Sequence, residues 1–154
     1  MFLRSQIPTE AIERIDCVES NQGILAAAER FFGFTPNDAL FQSHCADALE
    51  HIAKSKELYD IIMLDISSLE SEDCSPPQPF LEKKALTQLW SLLKEKGVLC
   101  INTMIKGKDE KAIRQKFTKE AKALGHCFSS KCAESSNEIV FVTRHVPADR
   151  SKQM

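Results

Sequence analysis

The stretch Tyr59 to Ser67, YDIIMLDIS, constrains this chain more than any other. Four apolar residues, Ile61 to Leu64, stand between Asp60 and Asp65. A short run rich in branched residues and without helical periodicity predicts a strand buried on both faces of a parallel sheet. In open sheets of that kind, ligands gather beyond the carboxyl ends of the strands. Asp65 is expected at such an end, with Ile66, Ser67 and Ser68 leading into a loop.

Strands alternating with helices surround this element. FLRSQIPTEA reads as the tail of a helix ended by Pro8. Ile12 to Glu19 reads as a strand finishing on an acid. Asn21 can cap the next helix, whose apolar stripe is Ile24, Leu25, Ala28, Phe31 and Phe32 and whose end is Gly33. Ala39 to Ala46 is a weaker strand. DALEHIAKS is a short helix in which Asp47 and Glu50 have capping-box spacing. After the Asp65 strand, SLESEDCSPPQPF is a polar loop with prolines at 76, 77 and 79, too long for a simple connector. Leu81 to Lys96 is expected as a helix with Leu86, Leu89, Trp90 and Leu93 on one face and Gly97 closing it. Val98 to Met104 reads as another buried strand, and Asp109 to Leu124 as an amphipathic helix followed by Gly125. Residues 126–145 read as two strands joined by a polar turn. The pattern predicts one α/β, Rossmann-like domain over 1–145, with a mostly parallel sheet and a C-terminal antiparallel hairpin. Residues 146–154 read as a frayed, disordered tail.

Composition excludes several classes. The chain has 154 residues, enough for one domain with a real core, and is 43% hydrophobic and 27% charged. A formal charge of −2 gives no electrostatic footprint for nucleic acid. No apolar run approaches the ~20 residues of a membrane span, and MFLRSQIP lacks the apolar core of a signal peptide. The six cysteines include no C-x-x-C, and Cys17, Cys45 and Cys100 fall in expected buried strands, so reduced thiols in the cytosol or nucleus are expected. His44-Cys45 and His126-Cys127 are each adjacent on a strand and point to opposite faces, so no metal site is expected.

Three acids then fall in equivalent places: Glu19, Asp47 and Asp65 follow successive strands. A carboxylate there can accept both ribose hydroxyls of a nucleoside, a role that suits Glu19. A solvated strand-end carboxylate or a partner for a nearby helix N-terminus explains Glu19 equally well. Asp47 could accept from an adenine amino group, although the capping box alone accounts for it. Asp65 could hold an amine substrate or take its proton, or cap the loop that follows.

The segments IDCVESNQGILAAAERFFGF, HCADALEHI, YDIIMLDISS…CSPPQPFL and LLKEKGVLCIN resemble the spermidine-synthase-like branch of S-adenosylmethionine-dependent methyltransferases. Within it they resemble the carboxyl-terminal domain of the methyltransferases that modify elongation factor 1-alpha. FFGF and CSPP are the more particular features, and the likeness runs from Phe2 to His145. It implies S-adenosylmethionine as cofactor and a cytoplasmic protein acting on a protein amine, with a translation elongation factor as one such substrate. It further implies Glu19 as the ribose-binding acid with Ser20 in its turn, Asp47 and Ala48 bordering the adenine, and Asp65 on the acceptor side. Many members carry an acid where Asn21 stands. Polyamine synthases continue Ser-Ser-Asp-Pro after the acid; here Ile66, Ser67, Ser68 and Leu69 follow Asp65, so their second acid is missing in register.

The family opens with a strand and a glycine-rich loop that faces the methionine part of the cofactor. No glycine precedes Gly23, so the first strand of the sheet is expected to be missing and the chain to be truncated. Weak or absent binding of S-adenosylmethionine follows, together with a gap in the sheet closed by unusual pairing, by a homo-oligomer contact or by a longer relative. Two alternatives remain open at this point. One is aminopropyl transfer to a diamine, with Glu70, Glu72 or Asp73 as second acid; the other is a non-catalytic binding or scaffold module.

Overall fold

The computed structural model describes residues 8–35, 40–67, 74–131, 133 and 135–145. The tail at 146–154, the start of the chain and the acids Glu70, Glu72 and Asp73 lie outside the described residues. The chain divides into two compact units, Met1–Lys54 and Ser55–Met154.

The first unit contains two parallel strands, β1 (Ile15–Glu19) and β2 (Phe41–Cys45), in register from Ile15 opposite Phe41 to Glu19 opposite Cys45. Both are shorter than the sequence suggests. Helix α1 (Gln22–Phe32) follows β1. Asn21 caps it as expected, its side-chain oxygen accepting from the Gly23 N–H at 2.8 Å, and Gly33 ends it at φ 64°, a conformation that costs glycine little. The expected apolar stripe is not buried. Ile24, Phe31 and Phe32 are 54%, 68% and 74% exposed. Helix α2 (Ala48–Lys54) follows β2. Asp47 Oδ1 accepts the Glu50 N–H at 3.0 Å, which is half of the capping box; the Glu50 side chain turns instead to Lys54, at 3.1 Å.

The second unit is built on β3 (Tyr59–Leu64), β4 (Cys74–Ser75), β5 (Leu93–Ile105), β6 (His126–Lys131) and β7 (Glu138–Thr143). The strand order is β3-β5-β7-β6, with β4 pairing the end of β5. β3 runs parallel to β5, and the β6–β7 hairpin adds the antiparallel edge that the sequence predicts. Helices α3 (Lys83–Ser91) and α4 (Glu110–Leu124) pack against this sheet. Register and alternation put Leu64, Leu99, Ile101, Val140 and Val142 on one face, all buried. Ala85, Leu86 and Leu89 of α3 and Phe117 and Ala121 of α4 complete that core. Removing this much apolar surface from water is the main stabilising term of the unit.

Two expectations are corrected here. β3 is not buried on both faces: Ile61 and Met63 are 51% and 60% exposed, while Leu64 on the other face is buried. The helix expected over Leu81–Lys96 ends at Ser91, and Lys94, Lys96 and Gly97 belong to β5. The Tyr59 N–H donates to the Leu92 carbonyl at 2.8 Å, so β3 draws this segment into the sheet before the helix can continue. A Cβ on Gly97 would stand 3.0 Å from the Tyr59 carbonyl oxygen, a close approach that only glycine leaves open. The proline-rich loop, expected to be more than a simple connector, packs into the unit over part of its described length. Pro76 and Phe80 are buried, and Gln78–Leu81 forms a 3-10 turn.

Cys17, Cys45 and Cys100 do lie in strands, but Cys45 is exposed and the other two only half-buried. Burial pushes the Cys17, Cys74, Cys100 and Cys127 thiols up, which keeps them protonated and unreactive. Among the described residues no helix is long and apolar enough to cross a membrane.

Candidate nucleoside and amine sites

Glu19 and Asp47 share one rim of the first unit. Because β1 and β2 are parallel with Glu19 opposite Cys45, both acids stand at the carboxyl end of the pair. The Glu19 carbonyl accepts the Ala46 N–H at 3.2 Å, one residue short of Asp47, and the Cys45 thiol lies 3.8 Å from the Ser20 carbonyl oxygen. The turn after β1, which contains Ser20, is tied in this way to the turn after β2, and Ala48 follows as the first residue of α2.

Each carboxylate is already oriented by backbone. Glu19 Oε1 accepts the Asn21 N–H at 2.7 Å, and Asp47 Oδ1 accepts the Glu50 N–H at 3.0 Å. These bonds fix the side chains rather than exhaust them. An ionised carboxylate has about four acceptor positions, so each acid keeps capacity for a hydroxyl or amino donor. Capping by Asp47 therefore leaves room for a ligand contact on the same carboxylate. Two acceptors so placed suit the hydroxyl and amino donors of the nucleoside half of a cofactor. The chain's five glycines stand at 23, 33, 97, 107 and 125, and none makes a glycine-rich turn beside Glu19 or Asp47.

Asp65 lies in the second unit, directly after β3. Its Oδ1 accepts from Asn102 Nδ2 at 2.9 Å, and Asn102 Oδ1 in turn accepts from Asn137 Nδ2 at 2.9 Å. Asn102 follows Ile101, which pairs with Leu64, so parallel register alone brings it beside Asp65. The loop leaving Asp65 is anchored as well: Ser75 Oγ donates to the Ile66 carbonyl at 2.7 Å. Sequence reasoning assigned no role to Asn102 or Asn137. The available signal was a single amide in the mostly apolar run VLCINTMI.

A second polar cluster occupies the first unit. Arg14 grips both oxygens of Asp16, at 2.8 and 2.9 Å, and His44 Nε2 stands 2.8 Å from Asp16 Oδ1. The His51 ring lies 4.5 Å from that of His44. Burial, and after it the neighbouring His44, pushes the His51 imidazole down from its ordinary value. His44 thus faces the Asp16 side of the strand pair. Among the described residues no group of three or more His, Cys, Asp or Glu side chains is gathered as for a metal ion.

Parallel strands alternating with helices, followed by an antiparallel hairpin, make this a mixed α/β chain of Rossmann-like type. No family model matches the chain. It is 27% identical over 151 residues to the eEF1A lysine and N-terminal methyltransferase of Danio rerio, covering 93% of this chain and 21% of that protein. To the protein of the same name from Homo sapiens it is 32% identical over 111 residues, 66% of this chain and 15% of the other. The chain thus spans about a fifth or less of the length of these relatives. Human methyltransferase-like protein 13, solved in complex with SAH, superposes with a TM-score of 0.79 at 27% identity, covering 90% of this chain and 64% of that one. A probable spermidine synthase from Corynebacterium glutamicum gives a TM-score of 0.67 over 86% of this chain and 48% of that one; at 13% identity this is a likeness of fold alone. The chain therefore has an S-adenosylmethionine methyltransferase fold, near the eEF1A lysine and N-terminal methyltransferases.

Proposed function

We propose that residues 1–145 act as a cytoplasmic S-adenosylmethionine-dependent methyltransferase domain whose acceptor is a primary amine on a protein, a lysine or an N-terminus. The observation that carries this reading is the shared rim of Glu19 and Asp47, two carboxylates at adjacent parallel strand ends. Glu19, with Ser20 in its turn, receives ribose hydroxyls; Asp47 and Ala48 border the adenine. When bound, the cofactor supplies a methyl group activated on a sulfonium. Asp65 holds the acceptor amine and takes up its proton, since only a neutral amine has the lone pair that displacement requires. The relatives named for eEF1A make that factor the first protein substrate to test.

With no glycine-rich turn at the rim, the nucleoside carries most of the affinity. S-adenosylmethionine therefore binds this chain weakly. The exposed Ile61 and Met63 on β3 supply apolar surface for a homo-oligomer contact or for pairing with a longer relative. Aminopropyl transfer is the less supported chemistry, because Ile66, Ser67, Ser68 and Leu69 follow Asp65 where polyamine synthases continue with a second acid, and among the described residues the partner of Asp65 is an amide.

Transfer of labelled methyl from S-adenosylmethionine to purified eEF1A tests the proposal. Incorporation that disappears in Asp65→Ala and Glu19→Ala supports it. Incorporation unaffected by both variants, or transfer from the decarboxylated cofactor to putrescine alone, contradicts it.

A further inference from the structure

We propose that Asn102 and Asn137 form a polar relay that orients the Asp65 carboxylate for the acceptor amine, which makes them positioning residues of that site. The inference rests on the reading of Asp65 given above and adds to it the means by which the carboxylate is aimed. The order of the relay follows from chemistry. A carboxylate only accepts, so Asn102 must present its Nδ2 to Asp65; its Oδ1 then faces away and needs a donor, which Asn137 Nδ2 provides. Without Asn137, the Asn102 amide could turn over and set its oxygen against the carboxylate. One oxygen of Asp65 is engaged by Asn102; among the described residues nothing donates to the other, which can receive an ammonium or amine hydrogen.

The far end of the relay is firmly held. The Asn137 N–H donates to Ser135 Oγ at 3.2 Å. The next residue, Glu138, is clamped by Arg114 Nη1 at 2.8 Å and Ser129 Oγ at 2.6 Å, while its carbonyl accepts from the buried Thr103 hydroxyl at 2.7 Å. Asn102 sits mid-strand in β5, with Ile101 and Thr103 buried on either side. Asp65 is thus tied through two amides to the antiparallel part of the sheet, a stiff mount for a side chain that begins a loop.

Titration of a primary-amine probe, Nα-acetyl-lysine amide, into the full chain by NMR tests the relay without requiring turnover. Thermal melts confirm that each variant is folded. Asp65→Ala is expected to abolish binding. Asn102→Ala should weaken it about tenfold, the effect of losing one charge-assisted hydrogen bond. Asn137→Ala should weaken it less and shift the Asn102 side-chain amide resonances. The double variant should bind no worse than Asn102→Ala, because Asn137 acts only through Asn102. If Asp65→Ala abolishes binding while Asn102→Ala binds as the wild type, or if the two asparagine effects multiply, the relay is overturned and the reading of Asp65 stands. No binding by the wild type, or unchanged binding by Asp65→Ala, overturns the reading of Asp65 and the relay's role with it.

Discussion

His44 Nε2 lies 2.8 Å from Asp16 Oδ1, so a carboxylate on β1 and an imidazole on β2 tie the two strands together through side chains as well as backbone. Arg14 holds the same carboxylate through both its oxygens, and the His51 ring of α2 lies 4.5 Å from that of His44, tilted by 50°. The cluster places two imidazoles beside a single buried acid.

Stability should therefore depend on pH through His51. Its folded value is lowered by burial, and next by His44, so the unfolded chain takes up the proton first as pH falls. Between the unfolded value and the lower folded one the unfolded state binds more protons, and stability decreases with decreasing pH. The urea midpoint is expected to be lower at pH 5.5 than at pH 7.5, and His51→Gln should reduce the difference. Equal pH dependence in wild type and variant would refute this role for His51.

Gly125 closes α4 where no side chain fits. A Cβ there would stand 2.6 Å from the Thr143 carbonyl oxygen and 2.8 Å from Trp90. Its backbone is extended, so the constraint is space and not dihedral strain. Gly125→Ala should cost about 1–3 kcal/mol, the usual range for forced overpacking. Equilibrium denaturation within 0.5 kcal/mol of wild type, roughly the scatter of neutral surface changes, would contradict the contact.

Substitution can separate the cap that Asp47 makes from its proposed contact with the adenine. Asp47→Ala loses the cap of α2 and should destabilise by about 1 kcal/mol. Asp47→Asn retains a capping oxygen but not the charge, so stability should hold while adenosine binding weakens several-fold, charged hydrogen bonds being roughly twice as strong as neutral ones. Paired denaturation and binding measurements decide; unchanged binding in Asp47→Asn would leave the residue a cap and nothing more.

The open face of β3 leads to an association prediction. Met63→Lys should leave the denaturation midpoint unchanged, since Met63 is already 60% exposed. In sedimentation, the wild type should gain mass with concentration and the variant should not. A monomer at all concentrations in both would remove the oligomer contact from the account.

The sequence was most informative where structure is decided locally. Asn21 and Gly33 mark the ends of α1 because a cap and a left-handed glycine need only their own neighbours. The hairpin of β6 and β7 was legible for the same reason. Leu92 and Leu93 misled because LLKEKGV suits the end of a helix as well as the start of a strand, and only the remote Tyr59 N–H decides between them. Exposure failed too: FF in α1 and IIM in β3 look like core residues, yet burial depends on what covers them. Glu19 and Asp47 in the first unit, and Asp65 in the second, each stand at the strand end expected of them. The bonds from Asp65 to Asn102 and on to Asn137 join residues 37 and 35 positions apart, pairs that no local pattern reveals.

The central claim is that Glu19 and Asp47 form a nucleoside-binding rim at the ends of β1 and β2. Titrating adenosine into the isotope-labelled chain, with wild type and Glu19→Ala in parallel, tests it most directly. The account predicts resonance shifts concentrated at Glu19–Asn21 and Ala46–Ala48 that are lost in Glu19→Ala. Shifts elsewhere in the chain, or shifts at the rim that survive in the variant, would contradict it.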